Sequence, residues 1–427
     1  MKIIHITASY KPAYIYGGPI QSVGKLCEVL EELSDNRLAF GAGNLNVQVL
    51  TTTANGTNEL DVKTGIPILV ERVWVTYFKR WTKDHSHFSP ALLWELRRMI
   101  IRQAQDERPN IENREIITPE QPLKEPKSFT APFLKDKNII HIHAWWNLVS
   151  VLSCSIAKWY RVPVVLSPRG MLTSYTLGNR NSFSKMLIHR LLGKNLLKYC
   201  HIHATSEQEK ADILRIVTPK SIRVIPNLVN LSLEKQDCKS SASSIEDQKG
   251  SYFKLIFLSR IEEKKGLELL FTALAAVDIP WTLTIAGSGE EAYVQVLKLT
   301  ASELKISDKI NWIGQVSNED KYSLIAAHHL LVLTSYNENF ANVVVESLGV
   351  GTSVLLSKKV GLSDYVKDKG FGWVTDLDPA SIQTSIIAAY LAVEKRQNIR
   401  TTAPLTISSD FNDYALANQY LEFYKTI

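Results

Sequence analysis

Residues 337–348 read Asn-Glu-Asn-Phe-Ala-Asn-Val-Val-Val-Glu-Ser-Leu, follow the apolar run Leu330–Leu333 and open a helix. Strand, loop and helix in that order put the loop at the carboxyl edge of a parallel sheet, where open α/β folds bind ligands. The first N–H groups of the helix have no partner inside it, and its dipole is positive there, so a phosphate suits the place. Two carboxylates flank it, Glu338 in the loop and Glu346 one or two turns into the helix. An ionised carboxylate only accepts hydrogen bonds, and so it holds vicinal sugar hydroxyls well. A loop Glu and a solvated helix Glu are also ordinary surface residues, and spacing alone leaves both readings open.

The same unit recurs along the chain. Short apolar runs at 2–7, 47–52, 139–143, 163–167 and 201–205 alternate with helical patterns, and so do runs at 254–259, 282–286, 310–313, 330–333 and 353–356. Near-continuous apolar strands separated by helices predict parallel sheets covered on both faces. The polar, Ser-rich tract 229–251 reads as a linker. The expected organisation is an α/β chain with a Rossmann-like domain at 1–228 and a second at 252–405. A helix in 406–427 is expected to pack back on the first domain. The Pro- and charge-rich tract 103–136 reads as an excursion from the first domain.

Of the 427 residues, 45% are hydrophobic and 22% charged, which is globular composition. The net charge of +6 divides unevenly, into +11 over 1–228 and −5 over 229–427. A basic first half points to an anionic partner such as phosphates or an acidic membrane surface, or else to ordinary solvated cations. One cluster, Lys185, His189, Arg190, Lys194 and Lys198, falls beside apolar residues within 183–199. It reads as an interfacial helix or as a core-facing helix with a solvated face. No recognition-helix or RNP pattern supports nucleic acid. Cys27, Cys154, Cys200 and Cys238 form no CxxC pair and no zinc spacing, which fits a reducing, cytoplasmic compartment and no structural metal. His5 and Lys11 interrupt the N-terminal apolar run, so a first strand is expected there and not a signal peptide.

Other strand ends carry further candidates. In Phe-Leu-Ser-Arg-Ile-Glu-Glu-Lys-Lys-Gly-Leu, residues 257–267, Arg260 and Lys265 are placed to clamp a diphosphate and stabilise it as a leaving group. Neither cation is expected in the core, and both glutamates are placed at a wet cleft. Gly17-Gly18-Pro19 and Gly287-Ser288-Gly289 allow close backbone approach, although neither is GxGxxG. His143 ends the strand of Ile140-His141-Ile142-His143, and Trp145-Trp146 follow as core packing or a platform for a sugar face. Arg169, in Ser167-Pro168-Arg169-Gly170, is a candidate anion contact. Ile225-Pro226-Asn227 reads as a domain-crossing turn.

Taken in order, these motifs resemble the retaining GT-B glycosyltransferases of family 4, over nearly the whole chain. Glu338 and Glu346 look like the family's E-x7-E motif, and Arg260 and Lys265 like its R-x4-K clamp. The resemblance implies two Rossmann-like domains with parallel sheets facing across a cleft, and a nucleoside-diphosphate-sugar donor. It implies that Glu346 holds the donor's ribose and Glu338 the sugar near the reacting face. Phe340, Ala341 and Asn342 would offer backbone N–H groups, His143 would contact the transferred sugar, and Gly17, Gly18 and Gly287 would approach the donor. Arg169 and Trp145 fall to the acceptor side. No metal is expected, because cations and helix N-termini offset the diphosphate. The family usually has Gly where Asn339 and Ala341 stand, and a Cβ there narrows the space over the sugar.

The expected activity is transfer of a sugar to a glycan or lipid-linked acceptor in surface polysaccharide biosynthesis, at the inner face of the plasma membrane. A sugar-nucleotide epimerase of the same fold and a retired sugar-binding scaffold are the alternatives. The first would need acid and base groups at the sugar ring, and the second would not need Arg260, Lys265, Glu338 and Glu346 together.

Overall fold

A computed structural model describes residues 1–35, 45–84, 86–106, 138–173, 193–231 and 252–427. The tract 103–136, the linker and the cluster at 183–199 therefore fall largely outside the described residues. Among those described, no helix is long and apolar enough to cross a membrane.

The described residues build sixteen strands. Ten precede the linker: β1 (Lys2–Ile6), β2 (Asn46–Thr52), β3 (Ala54–Asn55), β4 (Asn58–Glu59), β5 (Pro67–Val70), β6 (Val73–Phe78), β7 (Asn138–His143), β8 (Val164–Ser167), β9 (His201–Ala204) and β10 (Ser221–Val224). Six follow it: β11 (Phe253–Leu258), β12 (Trp281–Ala286), β13 (Ile310–Gly314), β14 (Leu330–Leu333), β15 (Ser353–Ser357) and β16 (Gly372–Thr375). They form one sheet ordered β10-β9-β8-β7-β1-β2-β6-β5, a second ordered β13-β12-β11-β14-β15-β16, and the small hairpin β3-β4. All pairs within the two large sheets are parallel except β5 with β6.

Each sheet starts at its centre, runs outward on one side and then crosses to the other. The reversal falls between β1 and β7 in the first sheet and between β11 and β14 in the second, and a crevice opens at the strand ends of such points. The strands read as apolar because both faces are covered. In β1, Ile3 packs on one side while Ile4 and Ile6 pack on the other. The final helix, Asp413–Lys425, lies against the first sheet although its sequence follows the second. Asn412 caps it, accepting from Ala415 N. Leu416, Tyr420 and Tyr424 join the same core as Ile3, Leu26 and the strands of the second sheet.

Candidate active site

The carboxyl edges of the two sheets border a cleft of about 910 Å³. From the first sheet come Gly17 and Gly18 at the head of helix Gly18–Asp35, Arg169 after β8, and Asn227 after β10. Across it stand Arg260 and Lys265 after β11, Gly287 after β12, and residues 337–343 with Glu346 after β14. Gly17 has φ 71°, and an added Cβ there would meet no atom within 4 Å, so its backbone is open to the cleft. Gly287 has φ 149°, and a Cβ would lie 1.9 Å from the Ser259 carbonyl oxygen, so only glycine lets the chain pass under the end of β11.

Each glutamate of the 337–348 stretch has a lysine. Lys265 Nζ donates to Glu338 Oε2. Lys321 Nζ donates to Glu346 Oε1 at 2.7 Å. Lys265 is 5% exposed and Glu346 4%. This corrects the expectation that Lys265 stays out of the core; Glu346 does line the cleft, but with far less exposure to water than expected. A charge survives such burial only when it is paired and hydrogen-bonded, and both are. Arg260 remains more exposed and pairs with Glu262. Burial pushes the Glu262 carboxyl up, but Lys264 and Arg260 outweigh that and hold it below its usual range. Helix Asn342–Gly349 follows Ala341, whose φ of 67° is rare for a residue with a Cβ. Backbone strain of this kind gathers at functional loops.

On the other wall, Arg169 (φ 52°) donates from Nη1 to Ser22 Oγ at 2.9 Å and to Asn227 Oδ1 at 3.0 Å. Burial pulls its pKa below the ordinary arginine value. His143 and Trp145, by contrast, do not line the cleft. Trp145 is fully buried, and His143 lies in the core beneath the floor. The end of a strand fixes which edge a residue approaches, but the pleat turned the His143 ring inward. His143 Nε2 and His5 Nδ1 lie 2.9 Å apart. Next to them His141 bonds Tyr424 Oη and Ser167 Oγ, each at 2.7 Å. Ser167 Oγ continues to His203 Nδ1 at 2.7 Å, and His203 Nε2 meets the Ile225 carbonyl at 2.8 Å. Burial holds His5 and His203 near pKa 3, and His141 and His143 well below the ordinary value. His5, His141 and His143 stand close enough together to hold a metal ion. Both His141 nitrogens are already engaged, however, and the Arg169 cation disfavours positive charge on each ring. The cluster is a neutral hydrogen-bonded core.

Sequence reasoning missed Lys321, which belongs to no motif and meets Glu346 only when their helices pack. It read Asn227 as a turn without its contact to Arg169. It also placed Asn339 over the sugar, whereas the side chain turns to the first domain and reaches Thr205 Oγ1 at 2.6 Å.

Residues 36–228 match the model of the glycosyl transferase 4-like domain, and residues 241–405 match that of glycosyl transferases group 1. An uncharacterized glycosyltransferase of Methanocaldococcus jannaschii is 24% identical over 302 residues, 67% of this chain and 75% of its own. The GDP-mannose:cellobiosyl-diphosphopolyprenol alpha-mannosyltransferase of Xanthomonas campestris is 22% identical over 296 residues, 68% of this chain and 74% of its own. The crystal structure of Anabaena HepE in complex with UDP and glucose shares the fold over the full length of both chains, with a TM-score of 0.68 at 17% identity. The two matched models fall one on each sheet and between them span most of the sequence, so the chain belongs to the GT-B glycosyltransferases.

Proposed function

We propose that the protein is a retaining glycosyltransferase. It takes a sugar from a nucleoside-diphosphate donor and adds it to a glycan or lipid-linked acceptor in surface polysaccharide biosynthesis. The observation that carries this reading is convergence. Arg260, Lys265, the head of helix Asn342–Gly349, Glu338 and Glu346 all border one cleft between two strand edges. The name of the Xanthomonas relative, with its diphosphopolyprenol acceptor, supports the lipid-linked class.

In this reading the donor diphosphate lies at Arg260, Lys265 and the helix head, with Glu346 on the ribose and Glu338 on the sugar. The acceptor hydroxyl attacks the anomeric carbon from the face the phosphate leaves. The carbon–phosphate oxygen bond breaks, the new glycosidic bond forms, and the hydroxyl proton passes to the departing phosphate oxygen. Charge that grows on that oxygen is met by the two cations and the helix dipole, so the reaction needs no metal. Lys265 then serves two anions, Glu338 and the diphosphate, and so links donor binding to the carboxylate nearest the sugar.

The acceptor side faces an anionic membrane surface. From Lys137 to Ser206 the sequence carries nine Lys and Arg and no Asp or Glu. In the same half, helices Pro90–Asp106 and Leu148–Trp159 expose Trp94 and Trp159, with the Arg98 guanidinium 5.2 Å from the Trp94 ring centre. Exposed Trp beside Arg and Lys is the composition of a bilayer interface.

A panel of UDP-, GDP- and ADP-sugars tests the reading. Slow donor hydrolysis and a rise in Tm with one of them are expected, together with an unchanged anomeric configuration in the product by NMR. Inverted configuration would refute retention, and no response to any of the donors would refute the enzyme.

A further inference from the structure

The loop 337–342 bonds to the other side of the cleft at Asn337, where Nδ2 donates to Thr173 Oγ1 at 3.2 Å, and at two further points that are linked to each other. At one of these Asn339 Nδ2 donates to Thr205 Oγ1 at 2.6 Å, and the Asn339 carbonyl accepts from Ser206 Oγ at 3.2 Å. At the other, Asn227 Nδ2 donates to Asn342 Oδ1 at 3.1 Å, and Asn342 Nδ2 donates to the Gly18 carbonyl at 3.3 Å. The two crossings are joined behind the cleft wall. Thr205 Oγ1 donates to Glu209 Oε2 at 3.0 Å, Glu209 Oε1 accepts from Gly170 N at 2.7 Å, and the adjacent Arg169 donates to Asn227 Oδ1 at 3.0 Å. The bonds close a ring that leaves the loop at Asn339 and returns to it at Asn342.

The direction of each bond is fixed by its neighbour. The Thr205 hydroxyl spends its one hydrogen on the Glu209 carboxylate, so it can only accept from Asn339. Arg169 has no acceptor, so Asn227 offers it the oxygen and turns its NH2 to Asn342. Packing agrees with this. A Cβ on Gly170 would stand 2.9 Å from Asn339 Cβ, and one on Gly361 1.8 Å from the Asn339 carbonyl oxygen. Between the two crossings lies Ala341, held at φ 67°.

We propose that Asn339 and Thr205 are a positioning pair. Their contact closes the ring across the cleft and holds the backbone of 338–342 in its donor-facing shape, so closure of the cleft and ordering of the loop are one event. Neither residue meets the reacting atoms; both act through Glu338 and the helix head. The kinetic part of this inference rests on the function proposed above, and the structural part does not.

Hydrogen exchange followed by mass spectrometry tests the structural part on the ligand-free protein. Thr205→Val removes the acceptor on one side of the cleft and should speed amide exchange in 337–343 on the other by about tenfold, the worth of one such hydrogen bond. Asn339→Ala should speed exchange in 203–209. The double variant should go no further than either single one, since both break the same contact. Thr205→Ser keeps the hydroxyl and should restore wild-type exchange. The proposal is overturned if each variant changes only its own side, or if Ser behaves like Val. With the donor identified, Thr205→Val should lower kcat about tenfold and leave the donor KM near wild type, and Thr205→Ser should rescue it. A raised KM with kcat unchanged would overturn the positioning role. Coupled exchange with no transfer from any donor would support the ring and sink the transferase reading, so the two fail separately.

Discussion

Glu346 and Lys321 meet at 2.7 Å with both side chains under a tenth exposed, and this sets what a substitution there can show. Glu346→Gln should raise the donor KM, because a ribose contact is equal in ground and transition states. It also leaves a buried cation without its anion, which costs about 3–5 kcal/mol. Urea denaturation should detect that loss, and adding Lys321→Met should recover the stability but not the KM. Recovery of both would show that Glu346 is purely structural. Glu338 is the better exposed of the two carboxylates. Glu338→Gln should mainly lower kcat, on the order of 10²–10³-fold, because it removes a preorganised contact near the reacting sugar. Wild-type turnover by this variant would refute the mechanism. At this scale the sequence was legible where a strand end fixes the position, as for Arg260, Lys265, Glu338 and Glu346. It was silent on Lys321, and it could not tell that the rings of His143 and Trp145 turn inward.

Among the elements, the final helix is tied to the first sheet by two hydroxyls. Tyr424 Oη lies 2.7 Å from His141 Nδ1, and Tyr420 Oη 3.0 Å from His203 Nε2. Tyr424→Phe should cost about 1–3 kcal/mol, because it strands a buried ring nitrogen, and an unchanged denaturation midpoint would contradict this. The same cluster gives the fold a pH dependence. Unfolded histidine takes a proton near 6.5, whereas folded His5 and His203 do so near 3. Between those values the unfolded chain binds more protons. The stabilisation is therefore complete above pH 6.5 and is lost as pH falls toward 3, by up to about 1.4 kcal/mol per pH unit for each ring. Tm measured from pH 7 to pH 4 should fall steadily, and a flat profile would mean that the rings are charged. The central strands were readable as apolar runs buried on two faces. The strands missed were β3 to β6, β10 and β16. They carry Pro67, Arg72 beside Val73, Arg223 or Gly372, and all but β6 lie in the small hairpin or at the edge of a sheet, where one side needs no apolar partner.

The whole molecule sets two switch points edge to edge and gives its two halves opposite charge. At low ionic strength it should sediment with vesicles containing phosphatidylglycerol and release as salt rises, since screening shortens the reach of exposed cations. Trp159, 83% exposed, should anchor it, and Trp159→Ser should weaken binding several-fold. Equal binding to neutral phosphatidylcholine vesicles would contradict the charge argument. The docking of Asp413–Lys425 on the first sheet also bears on how the chain can be made and recombined. His141 and Tyr424 are 283 positions apart, so during synthesis the first half emerges long before the helix that covers it. Until then a groove that takes Leu416, Tyr420 and Tyr424 stands open to solvent. Cutting at the linker would not yield two self-sufficient pieces. A hybrid that exchanges first domains with a relative must bring the helix 413–425 along with residues 1–228, even though the numbering assigns that helix to the second half.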